Sequence, residues 1–326
     1  MSLNKKKLTE KYLNKLKRVT DRHIQKIEEI KQIHNNNKRL SIILENKNKN
    51  HSENVKKIRD QFLQNKALID KKKQPSVENI GNKYALLIGI NYVNTSSELS
   101  GCINDVTNVS QKLSAAYNFN NITMLTDNTD VKPTYDNILN EFKNLLVNSK
   151  AGDTLFFQYS GHGSYTRDTN KDETDGYDEL IIPVDFIPIK DDVLKKTIED
   201  YLPENVKLFA LFDSCYSGTV MDLRYNYLDS LNYNKLTENK RVPILNRDVI
   251  MLSGCNDNQI SADAYINNTF QGAMSWAFIE TLNSNPLISW NTLLQNMRGL
   301  LKKKRFKQLP QLSSAKMMDI QTLVSF

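Results

Sequence analysis

The sequence predicts an α/β fold with a mostly parallel central sheet flanked by helices. Three apolar runs of strand length, at residues 84–91, 153–160 and 207–213, are rich in β-branched and aromatic side chains. Strands of that composition are typical of a sheet whose two faces are both covered. Segments with apolar residues at every third or fourth position lie between the runs. This alternation of strand and helix indicates parallel strands that are joined by helical crossovers.

The remaining elements continue the alternation along the chain. A long polar loop follows the strand that ends at residue 213 and reaches about residue 246. Acidic residues open the segment at 191–202, which suits the first turn of a helix. In chain order, the other predicted elements are a helix at 103–117, a strand at 121–125, helices at 135–148 and 191–202 with a strand at 179–185 between them, a strand at 247–254, helices at 272–284 and 288–303, and a strand at 320–325.

Charge divides the chain at about residue 80. Residues 1–80 hold 21 of the 44 Lys and Arg residues but only 9 of the 37 Asp and Glu residues, so their net charge is +12 and that of the rest is −5. We therefore expect a basic, Lys- and Asn-rich extension over 1–80 and a globular domain over 81–326. An amphipathic stripe over residues 8–30 predicts a helix in the extension. Composition favours a solvated, partly helical arm, while contact with a membrane surface or nucleic acid, or a sorting signal, stays open.

Cysteine content and hydropathy bear on the cellular compartment. No run of 18 apolar residues occurs, and the N-terminus lacks the apolar core of a secretory signal. Cys102, Cys215 and Cys255 form an odd set in a long chain, which is not a disulfide framework. These observations predict a cytoplasmic protein without a membrane span, with entry into the nucleus left open.

Two buried strands each end in a residue that can take part in nucleophilic catalysis. "LFFQYSGHGS" delivers His162 between two glycines, and "LFALFDSCYSG" delivers Cys215 just past its strand. Ligands of parallel sheets bind at the carboxyl ends of the strands, where a thiol and an imidazole would form a nucleophile and base pair. Taken singly, a Cys at a strand end is most often an inert apolar residue and a Gly-His-Gly is most often a turn.

Two acids lie near these strand ends. Asp213 precedes Cys215 by two residues, so strand alternation sends both side chains to the same side, and Asp105 opens the helix that follows the first strand. Helix capping would explain Asp105, and a structural hydrogen bond would explain Asp213. If both face a cleft beside Cys215, they form an anionic pocket that suits a Lys or Arg side chain.

Five segments in order, "YSGHGS", "DELIIPVDF", "LFDSCYSGTVMDL", "SGCNDNQISADA" and "QGAMSWAFIETL", resemble the metacaspases, a family of caspase-like cysteine peptidases. The short loop at 223–246, between a large-subunit-like part (81–222) and a small-subunit-like part (247–326), resembles the type I architecture. The resemblance implies the caspase-like (caspase-hemoglobinase) fold, with Cys215 as the nucleophile and His162 as general base and acid. It further implies cleavage after Arg or Lys, in a pocket lined by Asp105, Asp213, Cys102 and Ser160.

Metacaspases of this type are commonly activated by calcium. The resemblance places the calcium ligands at Asp175, Asp191, Asp192 and Asp222. An EF-hand in the acidic stretch that starts at Asp168 is excluded, because its sixth position is Glu173 where the turn requires Gly. An ordinary solvated acidic loop remains the competing interpretation.

The resemblance implies further properties of the whole protein. It implies a zymogen with a role in programmed cell death, protein substrates with basic residues at the cleavage site, and a monomer. Self-cleavage is a hypothesis for Lys235, Lys240 or Arg241, and restraint of the cleft is a hypothesis for residues 75–82. Two alternatives to a peptidase remain: a caspase-fold scaffold that recruits partners through its basic arm, and a protein whose arm binds nucleic acid or an anionic membrane.

Overall fold

The computed structural model describes residues 3–33, 46–51, 53–55, 57–58, 61, 81–168, 176–215, 220–227, 236–242, 245–254, 263–266, 269–284 and 287–326. The chain forms two units, Met1–Glu78 and Asn79–Phe326. In the first unit, the predicted amphipathic helix is present as α1 (Leu3–Ile33). Residues 46–51 are also helical, and the imidazole rings of His23 and His51 stack with their centroids 4.1 Å apart.

The second unit is built on a central sheet that contains eight strands in its described part, in the order β2-β1-β3-β7-β10-β13-β8-β9. The strands from β2 to β10 run parallel, and β13, β8 and β9 are antiparallel to their neighbours. Two small sheets, β4-β5-β6 and β11-β12, lie outside it. The bounds are β1 (Lys83–Gly89), β2 (Asn121–Thr126), β3 (Thr154–Ser160), β4 (Gly163–Arg167), β5 (Tyr177–Ile181), β6 (Ile189–Lys190), β7 (Lys207–Asp213), β8 (Tyr225–Tyr227), β9 (Leu236–Glu238), β10 (Asp248–Ser253), β11 (Asp263–Ile266), β12 (Thr269–Gly272) and β13 (Gln311–Ser314).

Helices cover both faces of this sheet, which is why its parallel strands read as continuous apolar runs. One face packs against α2 (Cys102–Tyr117), α5 (Ala273–Ser284) and α6 (Trp290–Lys303). The other face packs against α3 (Tyr135–Val147) and α4 (Asp191–Tyr201). Side chains alternate between the two cores along each strand, so Phe156 faces α5 and Phe157 faces α3.

Three predicted elements differ from the structure. The strand expected at 179–185 ends at Ile181, because Pro183 has no N–H to donate to a ladder, and it belongs to the small β4-β5-β6 sheet. The strand expected at 320–325 is absent there; Ile320 packs in the core, and the last strand is β13, which pairs with β10. The loop expected to reach residue 246 contains β8 and β9.

None of the helices in the described part of the chain has the length and hydrophobicity that a membrane span requires.

The core on the α5 side centres on Phe156, which is fully buried. Its ring centroid lies 5.1 Å from that of Phe209 and 5.7 Å from that of Phe326. We expect Phe156→Ala to lower the free energy of unfolding by about 3–5 kcal/mol, because it removes a large buried ring and leaves a cavity. Urea unfolding measures this loss. Met317→Ala, at a side chain that is 67% exposed, is the control and should change stability by less than about 0.5 kcal/mol.

Candidate active site

The pairing of β3 with β7 brings the two predicted catalytic residues to the same edge of the sheet. The strands are parallel and in register to their last residues, Ser160 opposite Asp213. His162 and Cys215 each follow two residues later, and both are partly exposed. The two loops touch, because a Cβ atom added at Gly163 would lie 1.9 Å from the carbonyl oxygen of Cys215. Only a glycine fits at such a close approach of two backbones.

The imidazole of His162 is oriented by a backbone carbonyl. Its Nε2 lies 2.7 Å from the carbonyl oxygen of Ser97, and a carbonyl can only accept a hydrogen bond. Nε2 therefore carries a proton in the neutral ring. Nδ1 then holds the lone pair that a general base needs.

Two buried tyrosines fix the backbone of His162. The Tyr92 hydroxyl accepts from the backbone N–H of His162 at 2.9 Å and donates to the carbonyl of Ile182 at 2.6 Å. The Tyr159 hydroxyl donates to the His162 carbonyl at 2.7 Å. Burial raises the pKa of both tyrosines, so the phenols keep their protons. Tyr92 adopts the left-handed backbone conformation, with φ 51°, and its ring centroid lies 4.6 Å from that of His162.

Two predicted acids meet beside this edge. Asp105, in the first turn of α2, and Asp213, the last residue of β7, are 1% and 3% exposed. A Cβ atom added at Gly272 would lie 2.1 Å from Oδ2 of Asp213 and 2.6 Å from Oδ2 of Asp105, so both carboxylates converge on that glycine. The predicted pocket residue Ser160 donates to Oδ2 of Asp105 at 2.6 Å, and Cys102 begins the same helix as Asp105.

The same acids also accept structural hydrogen bonds. The N–H of Gly272 donates to Oδ1 of Asp105 at 2.7 Å, and the N–H of Ser275 donates to Oδ2 of Asp213 at 2.8 Å. Asp213 therefore caps the first turn of α5, whose N-terminal N–H groups have no partner within the helix. A structural role in hydrogen bonding and a role in an anionic pocket are therefore compatible for these acids, since the hydrogen bonds hold the carboxylates in place.

A second acidic cluster lies around the start of α4. Asp178, Asp191 and Asp192 each offer a carboxylate oxygen within 4.8 Å of the others. Burial raises the pKa of Asp191 to about 7; hydrogen bonds from Glu179 lower that pKa, and the charge of Asp222 raises it. The predicted ligands Asp191, Asp192 and Asp222 thus interact in one cluster. The fourth, Asp175, lies outside the described residues.

Two lysines partly neutralise this cluster. Lys190 Nζ lies 2.5 Å from Asp178 Oδ2, and Lys195 Nζ lies 3.5 Å from Asp222 Oδ2. An all-oxygen set of carboxylates is the chemistry that a hard cation such as Ca²⁺ requires. Asp191, buried among like charges with a raised pKa, is a carboxylate whose ionised form a cation would stabilise. These residues therefore fit a calcium ion.

Comparison with known proteins gives the family of this chain. The family model described as "Metacaspase, peptidase C14 domain" matches residues 83–224. Metacaspase-1 of Meyerozyma guilliermondii is 39% identical over 74% of this chain and 71% of its own length. Metacaspase-1 of Schizosaccharomyces pombe is 37% identical over 74% of this chain and 69% of its own. The chain belongs to the metacaspase family.

A solved structure agrees with the fold of this metacaspase. The crystal structure of a protein from Geobacter sulfurreducens superposes with a TM-score of 0.54, at 23% identity, over 73% of this chain and 95% of that one. The prediction of an α/β fold with a mostly parallel sheet, and the resemblance to metacaspases, are confirmed. The segment matched by the family model contains His162, Cys215 and every predicted pocket and calcium residue.

Sequence reasoning missed several residues that shape the metacaspase site. Tyr92 carried no signal, because a tyrosine after a strand does not reveal a left-handed backbone. Asp178 is the first residue of the segment "DELIIPVDF", and an acid at the start of an apolar strand could have marked it. Gly272 and Ser275 belong to "QGAMSWAFIETL", where the glycine just before the helix was the available signal.

The close approach at Gly272 can be tested by substitution. We expect Gly272→Ala to lower the free energy of unfolding by about 1–3 kcal/mol, because the new methyl group overlaps the two carboxylates. Gly299→Ala is the matched control: an added Cβ there meets no atom within 4 Å, and the position lies inside α6. That control should gain about 0.5–1 kcal/mol from helix propensity. Equal effects of the two substitutions in urea unfolding would contradict the convergence at Gly272.

Proposed function

We propose that this metacaspase is a calcium-activated cysteine endopeptidase that cleaves after Arg or Lys. The observation that carries the proposal is the in-register end of β3 and β7, which brings the loop of His162 against the loop of Cys215 at the same edge of the sheet as a buried acid pair. The thiol of Cys215 and the imidazole of His162 are both partly exposed there, and they are the two groups from which an activated nucleophile is built.

The proposed reaction begins with transfer of the Cys215 thiol proton to Nδ1 of His162. The thiolate attacks the scissile carbonyl carbon, so that a C–S bond forms and the carbonyl oxygen becomes an oxyanion. We expect the adjoining backbone N–H groups of Gly163 and Cys215 to bind that oxyanion. The imidazolium then protonates the leaving amine as the C–N bond breaks. Water attacks the thioester, gives its proton to His162, and the acid product leaves as the C–S bond breaks.

The proposed specificity rests on Asp105 and Asp213. Their carboxylates converge on Gly272 at the start of α5, where fixed N–H and hydroxyl donors hold them. A Lys or Arg side chain that enters beside them gains charge-assisted hydrogen bonds. An acidic side chain in the same place meets like charge, which supports a preference opposite to that of a peptidase for Asp.

The proposed calcium ion would be held by carboxylates from β5, α4 and the segment after β7, among them Asp178, Asp191, Asp192 and Asp222. When bound, it would neutralise this cluster and tie the three segments together. Residue 222 follows Cys215 by only seven positions, so a cation held by Asp222 would be bound close in sequence to the nucleophile. Two exposed basic residues, Lys240 and Arg241, lie in the turn after β9, where we place self-cleavage; the third candidate, Lys235, lies outside the described residues.

The catalytic pair can be tested with reporter peptides that end in Arg, Lys or Asp. We expect Cys215→Ala and His162→Ala to lower kcat/KM for Arg and Lys peptides by at least about 1,000-fold, because each removes a reacting group. Cleavage of the Asp peptide should be negligible in every variant. Mass spectrometry after calcium treatment should find the Cys215→Ala chain intact. Full activity of Cys215→Ala, or equal cleavage of the Asp peptide by the unmodified protein, would disprove the proposal.

The calcium site can be tested by titrating activity with Ca²⁺. We expect Asp191→Asn to raise the half-maximal calcium concentration about 10-fold or more, since it removes a charged ligand. Lys195→Met should lower that concentration about threefold, because a positive charge near Asp222 is lost. Because burial raises the pKa of Asp191 to about 7, protons compete with the cation for this carboxylate. The half-maximal calcium concentration should therefore be higher at about pH 6 than at about pH 8.

Matched controls lie on the same helix as these calcium variants. Lys196 pairs with Asp200 on the exposed side of α4, so Lys196→Met and Asp200→Asn change the same charges outside the cluster. Neither should move the calcium midpoint. A midpoint that shifts equally in Lys195→Met and Lys196→Met would indicate a general charge effect and would contradict a site at Asp191.

A further inference from the structure

A buried amide lies one layer below the acid pair. Gln158 is on β3, two residues before Ser160, and its side chain faces the same side of the sheet. The side chain is 0% exposed. Its Nε2 donates to Oγ of Ser275 at 3.3 Å, and the backbone N–H of Ser275 donates to Asp213. Ser275 thus connects Gln158 to Asp213 through two hydrogen bonds.

The side-chain carbonyl oxygen of Gln158 can accept further hydrogen bonds. Within the part of the chain that the structure describes, no donor lies within hydrogen-bonding distance of Oε1 of Gln158. An amide that only linked β3 to α5 would leave this acceptor buried and unpaired, which is unfavourable. A ligand that brings N–H donors into the pocket would satisfy it.

We propose that the side-chain carbonyl of Gln158 is the deepest acceptor of the specificity pocket and binds the cationic end of the substrate's basic side chain. This inference rests on the proposed function, because it adds a residue to the same pocket. The pocket acids already accept from Ser160, Gly272 and Ser275, so a further acceptor is of use to a group with many donors.

The position of Gln158 makes it selective between the two basic side chains. Two residues of a strand span about 6–7 Å, so the amide lies deeper than the Ser160 and Asp213 pair at the strand ends. Arg is the longer side chain and presents five N–H donors on a planar group, whereas Lys presents three on one nitrogen. The Gln158 carbonyl therefore favours Arg over Lys.

The test measures kcat/KM for a matched pair of peptides that differ only in ending with Arg or Lys. Gln158→Met keeps the length of the side chain and removes the acceptor. We expect kcat/KM for the Arg peptide to fall about 10-fold, because one hydrogen bond to a charged group is lost. We expect kcat/KM for the Lys peptide to fall less than about threefold. An Arg to Lys ratio that stays within about twofold of the unmodified protein would overturn the inference.

A second variant keeps the proposal testable if Gln158→Met does not fold. Gln158→Glu has the same shape and retains an oxygen acceptor, so it should preserve the preference for Arg or increase it. Loss of that preference in Gln158→Glu would overturn the inference. Thr281→Val is the matched control, because Thr281 is a buried α5 residue whose hydroxyl also has no partner among the described residues. It should leave the ratio unchanged.

Failure of this inference is distinguishable from failure of the proposed function. If the unmodified protein cleaves neither peptide, or if Cys215→Ala cleaves both, the proposed function itself is wrong. If the unmodified protein cleaves both peptides and Gln158→Met keeps their ratio, the peptidase proposal stands and the role of Gln158 is structural. Thermal unfolding of each variant separates a change in stability from the change in ratio.

Discussion

The register of β3 against β7 is the constraint on which the site depends. These strands lie at the centre of the sheet and end together at Ser160 and Asp213. The loops that follow the two strands therefore emerge at the same edge of the sheet. This is how the loops of His162 and Cys215 become neighbours although 53 positions separate the two residues in the sequence. The same register turns Gln158, Ser160 and Asp213 toward α5. A slip of one residue would send one strand's side chains to the opposite core, so burial of both faces enforces this register.

Two acidic groups border this edge, and the protein stabilises them in different ways. Asp105 and Asp213 accept from backbone N–H and hydroxyl groups that belong to rigid elements, so their positions are fixed before any ligand arrives. The acids around Asp191 are offset by the flexible side chains of Lys190 and Lys195, while burial and then the charge of Asp222 raise the pKa of Asp191. The first arrangement suits the proposed recognition of a substrate side chain, and the second suits the proposed exchange of lysines for a cation.

Much of the fold could be predicted because its strong signals are local. The strands at β1, β3 and β7 and the helices α2 to α6 appear close to their predicted bounds, since long apolar runs and amphipathic stripes depend on few neighbours. The predictions failed where tertiary contacts decide. β13 has four residues and gains its place by pairing with β10 on one side and β8 on the other, and Ile320 is buried without being in a strand. A strand of only four residues carries little periodicity to detect.

The sequence by itself determined the alternation of strands and helices, the chemistry available at two strand ends, and the family to which those motifs belong. Only the tertiary structure decided which groups meet. Ser275 in α5 lies 62 residues from Asp213 along the chain, and Gly272 at the end of β12 lies 167 residues from Asp105. Tyr92 reaches His162 by a left-handed turn of the backbone. Such contacts depend on the packing of elements in three dimensions, whereas a linear pattern records only which residues are near in sequence.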